Sequence, residues 1–202
     1  MPDLARSFTF MFEDSKWLQK ILIGAAFVLL SVVLIGIPFV LGYMMEVIRR
    51  SYEDQEVPLP EWENWGELFT KGLIAFIITL AVIIPGIILS QIPCVQVLVL
   101  LYMIIVGLAL PLLYARYAIT GDLNKAFEFN EIMEMFKENI GNLVAVFIMV
   151  IIFTVIASIS TLALFVGFFF GAFYAKLGAG FLYGKVYQEA VKKREAANVG
   201  GA

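Results

Sequence analysis

Histidine is absent from these 202 residues, and Cys94 is the only cysteine. Together these absences exclude zinc sites built on imidazole or thiolate, disulfides within the chain, and Ser–His or Cys–His nucleophile pairs. Charge is scarce as well. Asp, Glu, Lys and Arg make up 15% of the chain, where a soluble domain carries ~25%. The formal charge is −3, so the basic footprint that nucleic acid requires is missing and no nucleic-acid partner is expected. No cleavable leader is expected either. The first apolar run begins near Ile21, is longer than a leader's apolar core and has no small-residue exit.

What is present is hydrophobic. Apolar residues make up 61% of the chain and the mean hydropathy is +0.91, more than a water-soluble core absorbs. A membrane-crossing helix needs ~20 apolar residues at 1.5 Å each. Five runs meet that need, at 21–48, 73–89, 95–113, 143–159 and 162–183. The expected fold is therefore an all-α integral membrane protein, a single membrane domain with five transmembrane helices in a bundle. Pro38 reads as a kink in the first run, because Pro and Gly are tolerated where neighbouring helices re-satisfy freed carbonyls.

With five spans, the polar segments 49–71, 115–142 and the tail 184–202 fall on one side. They carry ten Lys and Arg, whereas Arg6, Lys16 and Lys20 are left on the other. Counting positive charge near span ends puts the large loops and the C-terminal tail in the cytoplasm and the N-terminal segment outside. The alternative, a re-entrant pair around Pro38, would move that segment inside.

The stretch "VPLPEWENWGELFTKGL", 57–73, is an acidic loop holding two prolines and two tryptophans. At helical spacing Trp62, Trp65, Phe69 and Leu73 share one face, and Glu63, Glu67 and Lys71 lie on the other. Trp favours the headgroup zone, so this reads as an amphipathic interfacial helix setting the angle of the second span. Shifted by 67 residues the pattern recurs at 128–140, where Phe129 matches Trp62 and Phe136 matches Phe69. Trp62, Trp65, Phe69, Phe129 and Phe136 are the expected interfacial anchors. Span–elbow–span then occurs twice before a fifth helix. At the start, Leu4, Phe8, Met11 and Phe12 share a stripe too short to cross, which reads as an interfacial segment at 1–20.

Several motifs together resemble a known family. "FEDSKWLQKILIG", "GY" at 42–43, "PLPEW", "ARYAITGDLNKAFEF" and "FYA" at 173–175 are similar to the prokaryotic membrane proteins grouped as domain of unknown function 4013. The resemblance covers nearly the whole chain and implies the cell membrane of a bacterium or archaeon. It implies no activity, substrate or cofactor. Lys176 stands where that group usually has an apolar or small residue.

Catalytic chemistry finds little support in the sequence. A Ser–Lys pair from Ser158 or Ser160 with Lys176 lacks a defined base geometry, and serines in spans usually bond to the preceding turn or across helices. "GAGFLYGK" sits in an apolar helix rather than after a strand, so it is no phosphate cradle. No enzyme and no cofactor are expected. In the fifth run Gly167, Gly171, Ala175 and Gly178 form a small-residue stripe suited to close packing against another span or an identical subunit. Lys176 lies on the opposite face. It is the candidate polar intramembrane site, with Glu46 as the one carboxylate near enough along a span to pair with it. The favoured function is a non-catalytic membrane component or scaffold that oligomerises or holds membrane-protein partners. The alternative is a small ion or solute channel or transporter.

Overall fold

The computed structural model describes residues 4–56, 59–160 and 166–200, and every regular element among them is helical. The order is α1 (Arg6–Thr9), α2 (Trp17–Leu30), α3 (Gly36–Tyr52), α4 (Trp65–Ser90), α5 (Gln96–Thr120), α6 (Leu123–Ala126), α7 (Phe129–Ser160) and α8 (Val166–Gly200), with 3-10 turns at Phe10–Glu13 and Ser31–Val33. Among the described residues three helices are long and apolar enough to cross a membrane, α4, α5 and α7 through Ile159. The N-terminal pieces Arg6–Glu13 and Trp17–Val33, bent by 110°, would make a fourth if taken as one span.

The run 21–48 is not one kinked helix. It breaks before Pro38, where α2 ends in a 3-10 turn and Leu34 adopts a left-handed conformation with φ 66°. Pro38 then lies in the first turn of α3, where its missing N–H leaves no helical bond unmade. The two helices fold back as a hairpin. Near the tip, Phe27 of α2 stacks on Phe39 of α3 at 4.6 Å between ring centroids. At the base, Lys20 from α2 and Arg50 from α3 both donate to the carbonyl of Leu59. With 14 residues, α2 is about 21 Å long, short of a ~30 Å hydrocarbon layer.

The hairpin corrects the expected place of the N-terminal segment, which packs at the same end as the loop between α3 and α4. Arg6 donates to the carbonyl of Glu56, and Lys20 pairs with Glu61 at 3.0 Å. Tyr174 of α8 donates to the carbonyl of Phe8, and Phe10 stacks on Phe181. Phe10 and Met11 are fully buried, with Leu4 and Phe8 packed beside them, so the stripe expected at a lipid interface mostly caps the core. Phe12 alone of that stripe stays half exposed.

The elbows differ from the expected pair of interfacial helices. In the first, α4 runs unbroken from Trp65 into the apolar run, so Phe69 and Leu73 belong to the spanning helix itself. In the second, α7 is helical from Phe129 and bends at Asn139, where φ −121° and ψ 17° leave the helical region. Only this copy has a hinge between elbow and span. At the far end α4 turns into α5 through Cys94, which has φ 72°. At the charged end Gly121 closes α5 in the left-handed conformation by donating to Tyr117, and Asp122 caps α6 by accepting from the Asn124 N–H.

Two crossings define the core. Where α3 meets α4, a Cβ on Gly42 would lie 1.9 Å from the Leu68 carbonyl oxygen, and one on Gly72 1.6 Å from that of Pro38. The two backbones touch, as small residues allow in lipid, where packing drives helix association. Where α3 meets α8, a Cβ on Gly184 would sit 2.3 Å from the Ile48 carbonyl oxygen. Buried Ser51 also donates across this crossing to the carbonyl of Phe181.

Candidate functional site

The charged end is cross-linked by ion pairs. Glu46 is engaged by Arg49, by Arg50 at 3.6 Å and by Lys71 at 3.2 Å, and Lys71 also reaches Glu67 at 2.6 Å. These groups line a cavity of about 240 Å³ between α3 and the start of α4. Glu46 is thus committed here and is not the partner of Lys176. Buried Arg116 clamps the start of α7 through Glu128 and Glu131 and donates to the Lys125 carbonyl at 2.8 Å. Lys185 and Gln188 of α8 hold Asp54, and Arg194 holds Glu134.

The N-terminal segment is pinned by a buried pair. Asp14 accepts from Lys20 Nζ at 2.5 Å and from the Lys16 N–H at 2.7 Å. Burial pushes the Asp14 carboxyl up, but these donors and the two lysine charges outweigh it and hold the carboxyl below its usual range. Asp54 is held low first by the hydrogen bond from Lys185, against a smaller opposing effect of burial.

The expected interfacial anchors divide. Trp62 is buried: its ring stacks on Tyr43 at 4.3 Å and its N–H donates to the Lys20 carbonyl at 3.0 Å. It bridges the two arms of the hairpin, α2 and α3, rather than meeting lipid. Trp65 and Phe69 are exposed on the outer face, Phe129 is 70% exposed, and Phe136 is half-buried against the core. In the small-residue stripe, Gly171 and Gly178 are buried while Gly167 and Ala175 are half-buried. A Cβ on Gly178 would meet the Phe153 ring of α7 at 2.4 Å, so that residue packs within the chain. Gly180 and Gly184, outside the stripe, are the pair against α3. Their four-residue spacing was the available signal.

Lys176 lies in a second cavity, of about 320 Å³, enclosed by the hairpin, α4, α5 and α8. Val28, Ile37, Val40, Leu41 and Phe76 make it mostly apolar, and Ser31, Thr79 and Tyr114 add three hydroxyls. Lys176 is exposed on the open side. Among the described residues no hydrogen bond or ion pair engages its ammonium. Ser31, Thr79 and Tyr114 were not singled out from sequence, although Thr79 and Tyr114 are polar positions inside otherwise apolar runs.

The model of one protein family, described as a protein of unknown function (DUF4013), matches residues 25–97 and 89–166. The chain belongs to the DUF4013 family. No curated protein and no solved structure matches it. The matched residues of this DUF4013 chain run from the middle of α2 to the first residue of α8, and so include the hairpin tip and α3, both glycine contacts of the α3–α4 crossing and the hydroxyl wall of the Lys176 cavity. Lys176 itself lies beyond them. Its long apolar helices make this DUF4013 chain a membrane protein.

Proposed function

We propose that this DUF4013 protein is a non-catalytic component of a prokaryotic cell membrane, a scaffold that presents its charged end to the cytoplasm and there holds partners or further copies. The reading rests on the distribution of charge. Among the described residues, thirteen of the fourteen Lys and Arg, and all sixteen Asp and Glu, belong to segments at one end of the bundle. An end so rich in Lys and Arg near the span ends stays on the cytoplasmic side. In this reading α4, α5, α7 and the first half of α8 cross, the α2–α3 hairpin enters and returns, and both described terminal segments are cytoplasmic.

The scaffold reading is supported by how the acids and bases at that end are used. They clamp the N-terminal segment, the loop between α3 and α4, α6–α7 and α8 to one another, which gives a stiff platform. Exposed Glu138 remains on the outer surface of α7, beside Glu131 and Glu134, which are paired with Arg116 and Arg194. Reconstitution into liposomes tests the proposal. The purified protein is expected to give no saturable or voltage-dependent flux of ions or small solutes, and to cross-link into discrete oligomers through its charged end. Robust flux without such oligomers would refute the scaffold.

The second reading, transport, is favoured by one observation. The cavity between a broken helix pair and α8 places a lone cation and three hydroxyls among apolar residues, and polar groups within a membrane usually mark pathways. Saturable flux abolished by Lys176→Met would favour it.

A further inference from the structure

The hydroxyl protons around the Lys176 cavity are already committed. Ser31 donates to the Phe27 carbonyl and Thr79 to the Ala75 carbonyl, each at 2.8 Å. Thr79 has no second proton, so in its 2.5 Å contact with Tyr114 the tyrosine must donate. Each hydroxyl therefore offers lone pairs to the cavity, and Lys176 is its one uncommitted donor among the described residues. An ammonium has three N–H donors, so hydroxyl oxygens can accept some while an anion takes the rest.

That anion cannot come from this chain. No Asp or Glu occurs between Lys20 and Glu46, between Lys71 and Arg116, or between Glu138 and Lys185. A second copy packed alongside would likewise bring only apolar helix to this depth. Nor does a phospholipid head fit. Lys176 lines the same cavity as Thr79 of α4. Thr79 is eleven residues, about 16 Å, from the Ser90 end of α4. Both lie near the middle of a ~30 Å hydrocarbon layer, whereas a phospholipid head is held at its surface. A single-chain carboxylic acid reaches that depth in its neutral form, since such groups neutralise rather than enter hydrocarbon charged. It passes its proton to the Lys176 amine, which is neutral for the same reason while unpaired, so that ammonium and carboxylate form together with no proton gained or lost.

We propose that the cavity binds the carboxylate of a fatty acid dissolved in the bilayer, with Lys176 as its counter-ion. The head and first carbons occupy the 320 Å³ beside Thr79 and Tyr114, near the small end of ligand pockets. The rest of the chain runs along Val28, Ile37 and Phe76 and out of the open side into lipid. The proposal is independent of the scaffold reading, since such a ligand could order the hairpin without being transported.

The test uses the full chain in phosphatidylcholine nanodiscs and radiolabelled palmitate, with empty nanodiscs as the partition background. Wild-type protein is expected to bind palmitate saturably at one site per chain. Lys176→Met should weaken binding at least tenfold while keeping the wild-type thermal midpoint, and Lys176→Arg should stay within about threefold of wild type. Methyl palmitate and phosphatidylglycerol should compete poorly. No saturable binding by wild type, undiminished binding by Lys176→Met, or equal competition by methyl palmitate would overturn the proposal, as would displacement by phosphatidylglycerol. The competition arms need only wild-type protein, so they decide the matter even if the methionine variant fails to fold.

Discussion

Replacing Gly72 by alanine puts a methyl carbon 1.6 Å from the carbonyl oxygen of Pro38 and 2.6 Å from the backbone nitrogen of Gly42. Neither obstacle can rotate away, because both are backbone of α3. Atoms in good contact lie about 3.5 Å apart, so α3 and α4 would have to separate by roughly 1.5–2 Å along their closest approach. Overpacking a well-packed core costs about 1–3 kcal/mol and occasionally more. With backbone on both sides, the expected loss is at the top of that range, about 3 kcal/mol. Gly42→Ala should lose nearly as much, since its Cβ would lie 1.9 Å from the Leu68 carbonyl oxygen. The double variant should lose less than the sum, because one displacement of the same two helices relieves both contacts. Gly66→Ala is the control. It lies on the same helix as Gly72 with nothing within 4 Å of its Cβ, so it should be neutral or stabilising by up to ~1 kcal/mol. SDS titration of the purified protein in mixed micelles, followed by fluorescence of buried Trp62, reads all four. Gly72→Ala and Gly66→Ala unfolding at the same SDS fraction would refute the backbone contact.

Cys94, exposed in the turn between α4 and α5, is expected to react with an impermeant maleimide in intact spheroplasts, whereas a cysteine placed at Arg6 should react only after permeabilisation; the reverse pattern would invert the topology. Trp62→Ala should destabilise by about 3–5 kcal/mol as a buried aromatic, and Trp65→Ala by much less, with thermal midpoints in detergent as the readout. The depressed Asp14 carboxyl contributes stability that is present above the unfolded value of about 3.9 and is lost as pH falls through the lower folded value. Asp14→Asn should therefore flatten the acid limb of a thermal-midpoint profile and leave its slope near neutrality unchanged. Arg116→Met should free the start of α7, raising hydrogen exchange over 123–135 above that in the α4–α5 turn; unchanged protection there would count against the clamp.

Much of the architecture is legible because it follows from helix periodicity and the cost of burying polar backbone. The run at 73–89 lies inside α4, 95–113 lies inside α5 but for its first residue, and 143–159 lies inside α7. The first run misleads for a physical reason. Hydropathy measures how apolar residues are, and "VVLIGIP" is apolar whether it continues a helix or turns the chain. The break needs Leu34 at positive φ, a strained state for a residue other than glycine, held by the packing of Phe27 on Phe39 and Trp62. Trp62 shows the same limit. An indole on a polar-edged stripe looks interfacial until a carbonyl from 42 residues earlier takes its N–H. Lys176 is visible as the one charge in an apolar run, but its cavity depends on four helices distant in sequence.

The hairpin also changes what the chain must endure as it is made. A helix crossing once from the N-terminus would drag Arg6, Glu13, Asp14, Lys16 and Lys20 through the hydrocarbon. A hairpin entering tip first leaves them where they were synthesised, and its leading edge is Val32, Val33, Leu34 and Ile35, all exposed and all apolar. The connection that α4 and α5 deliver to the far side, "SQIPC", carries no charge, nor does the run from Leu143 to Ala175. In this arrangement not one ionised side chain crosses the bilayer, and Lys176 alone enters it. On the proposed topology, insertion would be of two helical pairs and a hairpin pushed in from one face, with no ion to translocate at any step.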